Sequence, residues 1–338
     1  MQKRLTALLL SVLIICSLTA CSMTAETAHE PVAPATEEQE VSNTEENKTK
    51  DTTGSKHGDK TESAVTGNEE TYTLSGNVTE SLVIESDNDV VIVLDNVTAK
   101  LEDSVIKIKS ARSAVLVING TNTIESTGEE AKTVKSDADL TIEGDGTLNV
   151  TSTDTCIKSD TNLTVNSGTL NLNGGSDGDG LRSDETLTIN GGTISITSGE
   201  GIESTQITIN DGTVVISALD DGINASNKSE SLSPSVTING GNLDITMAQG
   251  DTDAVDSNGS LTITGGNINI SAQFAFDYDG AVSFTGGTVY VNGQQLTQIT
   301  NSMFGGGQQG GMAPGGMAPG GNPPSGTPGQ QGPGGMHP

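Results

Sequence analysis

The chain has 338 residues, 15 Lys and Arg against 44 Asp and Glu, a formal net charge of −29, no Trp and only 2% aromatic residues. So acidic a balance excludes a nucleic-acid binder, whose footprint is a basic face. The shortage of large apolar side chains excludes one thick globular core, while regularly spaced Val, Ile, Leu and Thr exclude disorder throughout.

The chain opens on an export signal, residues 1–20. Lys3 and Arg4 give a positive start, Leu5 to Cys16 is an apolar run too short for a comfortable membrane span, and Leu18-Thr19-Ala20 precedes Cys21. A Cys at the first mature position resembles the lipobox of bacterial lipoproteins, which makes Cys21 the expected lipidation site. The expected location is then an exported protein, lipid-anchored to the membrane at the cell surface, with the anchor as its sole membrane contact. Loss of Lys3 and Arg4 leaves 13 − 44 = −31 for the mature chain.

Residues 21–70 are rich in Glu, Thr, Lys, Asn and Ser with almost no aliphatic side chains. Such a segment buries too little apolar surface to fold and reads as a disordered acidic tether. Residues 301–338 are Gly, Pro, Gln and Met, with Met312-Ala313-Pro314-Gly315-Gly316 repeated from Met317, and read as a flexible tail. The phosphate-loop pattern G-x-x-x-x-G-K-[ST] is absent, and the one G-x-G-x-x-G match, Gly305 to Gly310, lies in this tail with no strand before it.

Between them, residues 71–300 repeat. Val134-Lys135-Ser136, Ile157-Lys158-Ser159, Leu181-Arg182-Ser183, Ile202-Glu203-Ser204, Ile223-Asn224-Ala225 and Val255-Asp256-Ser257 align, at steps of 23, 24, 21, 21 and 32 residues. The long step contains Ser226 to Pro234, an inserted loop. Each unit continues into a short alternating strand such as Leu187-Thr188-Ile189, then through a Gly corner into a third, such as Gly192-Thr193-Ile194-Ser195-Ile196. Three short strands per repeat with Gly corners predict an all-β fold, a right-handed parallel β-helix of single-stranded solenoid type, with inward columns of Val, Ile and Leu. Tyr72 to Ser126 supplies the first coils and cap. Cys156 is the only thiol of the repeat region and reads as a half-buried structural residue.

Equivalent positions on successive coils stack at about 4.8 Å. Two positions before the inward aliphatic residue the column reads Thr155, Asp179, Glu200, Asp221, Asp253, with Asp177, Asp220 and Asp251 near it. One position after it the column reads Lys135, Lys158, Arg182, Glu203, Asn224, Asp256; a further column holds Asp137, Asp160 and Asp184. These side chains are expected to face solvent. Carboxylates stacked so closely repel by roughly 1–4 kcal/mol per pair unless solvated, protonated or bridged. Oxygen-rich clusters interleaved with Gly suit calcium, and Ser176-Asp177-Gly178-Asp179-Gly180 is the best single segment. The metal candidates are Asp160, Asp177, Asp179, Asp184, Glu200, Asp220, Asp221, Asp251 and Asp253. His29, His57 and His337 lie outside the repeats, which argues against zinc or iron.

Leu74-Ser75-Gly76, Asp89-Val90-Val91-Ile92-Val93-Leu94-Asp95-Asn96-Val97 and the repeated Gly201-Ile202-Glu203-Ser204 and Leu187-Thr188-Ile189-Asn190-Gly191-Gly192 units resemble a family of secreted bacterial carbohydrate-binding β-helix proteins. The resemblance covers about Tyr72 to Gly293. It implies a calcium-containing β-helix that binds cellulose and pectic acid polysaccharides, similar in fold to family 9 polysaccharide lyases. There Asp-bound calcium and a Lys base remove a proton from a uronic acid. It implies Asp160, Asp177, Asp179 and Asp184 as calcium ligands, and Lys135, Lys158 and Arg182 as the groups that meet glycan carboxylates. The expectation is a monomeric surface lipoprotein that binds polysaccharide, with acidic pectin-like glycans among the candidates and no nucleic-acid partner. The alternatives are a calcium-dependent pectate lyase, with Lys158 as base, and a non-catalytic spacer or adhesin. No residue is nominated as catalytic: no nucleophile motif exists, and so many acids make any carboxylate pair uninformative. Without Trp, only Phe274, Phe276, Tyr278, Phe284 and Tyr290 could stack on sugars in the later coils, and Phe276 falls in the inward column.

Overall fold

The structure, a computed structural model, describes residues 62–66, 69–250 and 252–302. All of them belong to one compact unit, Thr49–Pro338; the other unit, Met1–Lys48, lies outside the described residues, as do the export signal, Cys21, most of the tether, Asp251 and the tail from 303.

Among the described residues every element is a strand, and the architecture is a parallel β-solenoid of about nine coils. One coil is Val134–Ser136, Leu140–Gly144 and Thr147–Ser152; the next is Ile157–Ser159, Leu163–Val165 and Thr169–Asn173. Each strand pairs in parallel with its equivalent one coil on. The inward column Val134, Ile157, Leu181, Ile202, Ile223, Val255, Phe276 is in strict register. The first strands of the coils make a nine-stranded sheet. The second and third strands make two further ladders that merge in the 13-residue strand Asp89–Leu101. Its first half pairs with Ser113–Asn119 and its second half with Thr121–Ser126. The bend between the halves is at Asn96, which adopts φ 56°, the left-handed region that Asn tolerates.

The period-2 alternation decides which way each side chain points. In Leu187-Thr188-Ile189 the outer two are fully buried and the Thr between them is half-exposed. The core is a stack of Ile, Leu and Val on their own kind, and Phe276 is 1% exposed at the inward position expected of it. Cys156 is fully rather than half buried. Thr155, Cys156 and Ile157 are consecutive buried residues at a coil corner, where strict alternation fails. Burial pushes its thiol up to about 12, which leaves it a hydrophobe and not a nucleophile.

The Gly corners recur at one position per coil, with φ 97° at Gly168, 89° at Gly192 and 108° at Gly212. A Cβ at Gly192 would stand 2.8 Å from the Gly168 carbonyl oxygen, so both the backbone conformation and the spacing of coils require Gly there. Among the described residues strand structure begins at Glu62, before the expected boundary at 71. Glu62–Thr66 lies antiparallel on Glu69–Val78, and at the far end Thr288–Val291 folds back on Gln294–Gln295. Ser302 closes the nine-stranded sheet: its Oγ accepts from the backbone of Ala275 and Phe276, and its own N–H donates to the Phe276 carbonyl. Each end of the stack is thereby capped along part of its edge, while Leu82–Glu85 stays the outer strand of the nine-stranded sheet.

Candidate cation and glycan site

The nine-stranded sheet carries the charge. Its register places Lys107, Lys135, Lys158, Arg182, Glu203, Asn224, Asp256 and Asp277 in one outward column, one per coil. The column is basic at its start and acidic at its end.

From Lys135 to Arg182 each cation of the column is already partnered. Lys135 Nζ is 2.9 Å from Asp137 and 3.1 Å from Asp160; Lys158 Nζ is 2.9 Å from Asp160 and 3.5 Å from Asp184. The Asp137 hydrogen bond outweighs burial and holds the Lys135 pKa above its ordinary value. Burial pushes Asp160 up, but hydrogen bonds from Lys158 and Lys135 outweigh it and its pKa lies below the usual carboxylate range. Lys135, Lys158 and Arg182 are therefore on one face, as expected, but their charge is spent on Asp137, Asp160, Asp184 and the groups at the junction. Asp160 and Asp184 act as their counter-ions.

Arg182 is the junction. Its Nη1 is 2.6 Å from Glu203 Oε2 on the next coil and 3.4 Å from Asp179 Oδ2, and its Nε is 3.9 Å from Asp184. The expectation that these columns face solvent fails here: Asp179 is 3% exposed and Glu203 2%. Thr155 Oγ1 donates to Asp179 at 2.8 Å from the coil before. Burial, then the Glu203 charge, raise the Asp179 pKa despite Thr155 and Arg182. Lys228 pairs with Glu203 Oε1, to which Ser226 Oγ also donates at 3.1 Å.

Beyond the junction Glu200, Asp221 and Asp256 have no ion pair among the described residues. Glu200 pairs in register with Asp179, and the carboxylate oxygens of Asp179, Glu200 and Glu203 come within 4.8 Å of one another. Asn224 Nδ2 donates to Glu200 Oε2 at 3.1 Å and Asp221 Oδ2 at 3.2 Å. Burial first, and then Glu203, Asp179 and Asp221, push Glu200 up to about 8. Burial and the surrounding carboxylates push Asp221 to about 6, and burial followed by Asp221, Asp277, Asp253 and Asp279 pushes Asp256 to about 7. Asp221 Oδ1 accepts from the Asp253 backbone at 3.1 Å. Glu200 also lines a surface depression of about 360 Å³ with Ser176, Asp177, Gly199, Leu219 and Asp220. A depression of about 410 Å³ is lined by Glu102, Asp103 and Gly128–Ala131.

The structure thus brings Asp177, Asp179, Glu200, Asp220, Asp221 and Asp253 to one side of the junction and leaves Asp160 and Asp184 on the other. The donor set fits a hard divalent cation. Calcium takes about 6–8 oxygens at roughly 2.3–2.6 Å, so ligand oxygens across one ion lie within about 5 Å. Glu203, Asn224 and Asp256 belong to this acid group and were not nominated from sequence, although the column itself was legible. Lys228 was missed as well. Its signal was that no other Lys or Arg follows Arg182.

The sequence model of a family described as "Carbohydrate-binding domain-containing protein" matches residues 59–295. Among solved structures the chain is similar to one titled "Structure of the polysaccharide lyase-like protein from C. thermocellum, Gadolinium derivative". The identity is 21% over 69% of this chain and 88% of that chain, with a TM-score of 0.41. No curated protein matches.

Proposed function

The chain belongs to the carbohydrate-binding domain-containing protein family, and from that premise we propose that its solenoid binds polysaccharide, with calcium on the acid half and acidic, uronate-bearing chains as ligands. The observation that carries this reading is the split column. Every cation from Lys135 to Arg182 is engaged by a carboxylate of its own or a neighbouring coil, whereas Glu200, Asp221 and Asp256 stand together with no cation partner. From Lys135 onward along this column a uronate polymer meets no cation without a carboxylate partner, so its route there is through an ion. Glu200, with Asp179 and Glu203 beside it and Asp177 and Asp220 at the adjoining depression, would hold calcium. When bound, the ion supplies the positive charge that a glycan carboxylate can share.

Affinity electrophoresis in polygalacturonate tests the reading. Retardation in calcium that disappears in chelator, and that Glu200→Gln with Asp220→Asn abolishes, is expected. Equal mobility with and without calcium on acidic glycans would return the protein to the spacer reading.

The reading is binding without turnover. A lyase base needs a lowered pKa, yet Lys135 is held above its ordinary value and Lys158 lies between Asp160 and Asp184. Ultraviolet absorbance of unsaturated uronide products should stay flat with calcium at alkaline pH; a rise would promote the lyase. We also propose lipid anchoring through Cys21, with Leu18-Thr19-Ala20-Cys21 as its support. Wild type should enter the detergent phase and Cys21→Ala the aqueous phase.

A further inference from the structure

The inserted segment 226–234 is where the coil period breaks. In the preceding coil Thr205 alone separates Glu200–Ser204 from Gln206–Ile209; here nine residues separate Ile223–Ala225 from Ser235–Ile238, and Ile223 still pairs with Val255 across the gap. The insertion adds no strand. It folds back on the coil before it: the N–H groups of Lys228 and Ser229 both donate to Thr205 Oγ1, at 3.1 and 2.8 Å. This places Lys228, which has no other Lys or Arg after Arg182 for company, against Glu203.

Glu203 then has one cation on each oxygen, Arg182 on Oε2 and Lys228 on Oε1. The two are held differently. Arg182 sits in a register strand between Lys158 and Glu203, and its guanidinium is shared with Asp179. Lys228 sits on irregular chain, on a flexible four-carbon stem, as a compact ammonium. It is the one that can leave. The charges make its departure useful. When all three are ionised, Asp179, Glu200 and Glu203 carry three negative charges against two positive ones. With a divalent ion in place of the Lys228 ammonium, the sum is three against three.

We propose that Lys228 is a tethered counter-ion that occupies the place of a divalent cation on the Asp179, Glu200 and Glu203 cluster and is expelled, with its segment, when such an ion binds. The inference rests on the calcium reading above and names how that site is regulated: Lys228 and the ion compete, so each weakens the other reciprocally. A merely structural ion pair makes the opposite prediction, because loss of Lys228 would then loosen the cluster and weaken the ion.

The test is calcium titration calorimetry of the full mature chain and its Lys228→Met and Lys228→Arg variants at fixed ionic strength, with melting in chelator. Lys228→Met should bind calcium about tenfold more tightly, and melt lower than wild type in chelator but not in calcium. Lys228→Arg should keep the wild-type affinity. Thr205→Val leaves every charge in place and only unpins the segment, and should also tighten calcium, so the outcome does not hang on one variant. Calcium should speed cleavage after Glu230 by a Glu-specific protease. Wild type that binds calcium, with Lys228→Met no tighter, would overturn the counter-ion and spare the calcium reading. Calcium binding by neither protein would overturn both.

Discussion

The coils from Lys107 to Arg182 and those from Glu203 to Asp277 are built on one backbone plan, in one register, over one kind of core. They differ in the order of outward charges. In the first half, Lys135, Lys158 and Arg182 alternate in space with Asp137, Asp160 and Asp184 and are neutralised by them. In the second, Glu203, Asp256 and Asp277 stack beside Glu200, Asp221 and Asp253, and past Arg182 only Lys228 is basic. A parallel solenoid multiplies whatever a column holds, because equivalent residues repeat at about 4.8 Å. The lesson is that the fold tolerates either order, but only the first is complete without something from outside.

The largest expected effect is at the junction. Arg182 faces Glu203 and Asp179, which are 2% and 3% exposed. Arg182→Met leaves two buried carboxylates short of a guanidinium, and loss of one partner from a buried pair destabilises by about 3–5 kcal/mol. Urea denaturation should show a loss near the low end, because Lys228 still holds Glu203. Adding Glu203→Leu should restore much of it. An Arg182→Met protein as stable as wild type would mean that the halves do not meet through this residue.

How much of this contrast was visible in the sequence depends on which direction a feature runs. Along the axis, equal spacing makes columns, so the run from Lys135 through Arg182 to Asp256 was readable from alignment alone and the register bears it out. So was the Phe276 position. Depth was not readable. Glu203 occupies an outward position by alternation and Asp179 an inward one, two residues before Leu181, and the Arg182 side chain, Thr155 and the inserted segment close over them. Burial of that kind is set by neighbours on other coils and in a loop, which have no fixed spacing. The strand Glu62–Thr66 escaped for a related reason: it is an antiparallel cap outside the repeat, in a stretch whose composition resembles a tether. Cys156 was placed correctly but too shallowly, because the corner breaks the alternation.

The second effect is in pH dependence, and the halves have opposite signs. Glu200, Asp221 and Asp256 are raised from 4.5, 3.8 and 3.8 to about 8, 6 and 7 by burial and mutual repulsion. Between these limits the folded state holds more protons than the unfolded one, so their contribution is complete below about pH 4 and is lost as pH rises towards 8. Asp89 is lowered to about 2, chiefly by the Arg112 hydrogen bond, and Asp160 lies below its ordinary value. Those contributions are present above pH 4 and vanish as pH falls. In chelator the melting temperature should therefore peak near pH 4–5 and decline to pH 8. Calcium at a hundred times its Kd should add about 2.7 kcal/mol and flatten the alkaline side. A melting temperature that climbs from pH 5 to 8 in chelator would refute the account of the acid half.

The smallest effect belongs to the self-neutralised half, and its smallness is what the comparison requires. Lys158 touches Asp160 and Asp184 with 18% of its side chain exposed, and both partners are about one-third exposed. Pairs so open to water contribute about 0–1 kcal/mol. Asp160 also keeps Lys135 at 3.1 Å when Lys158 is gone, and Asp184 keeps Arg182. Lys158→Met should thus shift the urea midpoint by less than a third of the Arg182→Met shift, and it should leave calcium affinity unchanged. It bears equally on function. If glycan carboxylates sat directly on the basic column, Lys158→Met would abolish retention on polygalacturonate even with calcium present. If they reach the sheet through the acid half, retention persists while Glu200→Gln with Asp220→Asn removes it. One pair of variants, one on each side of Arg182, separates the two routes.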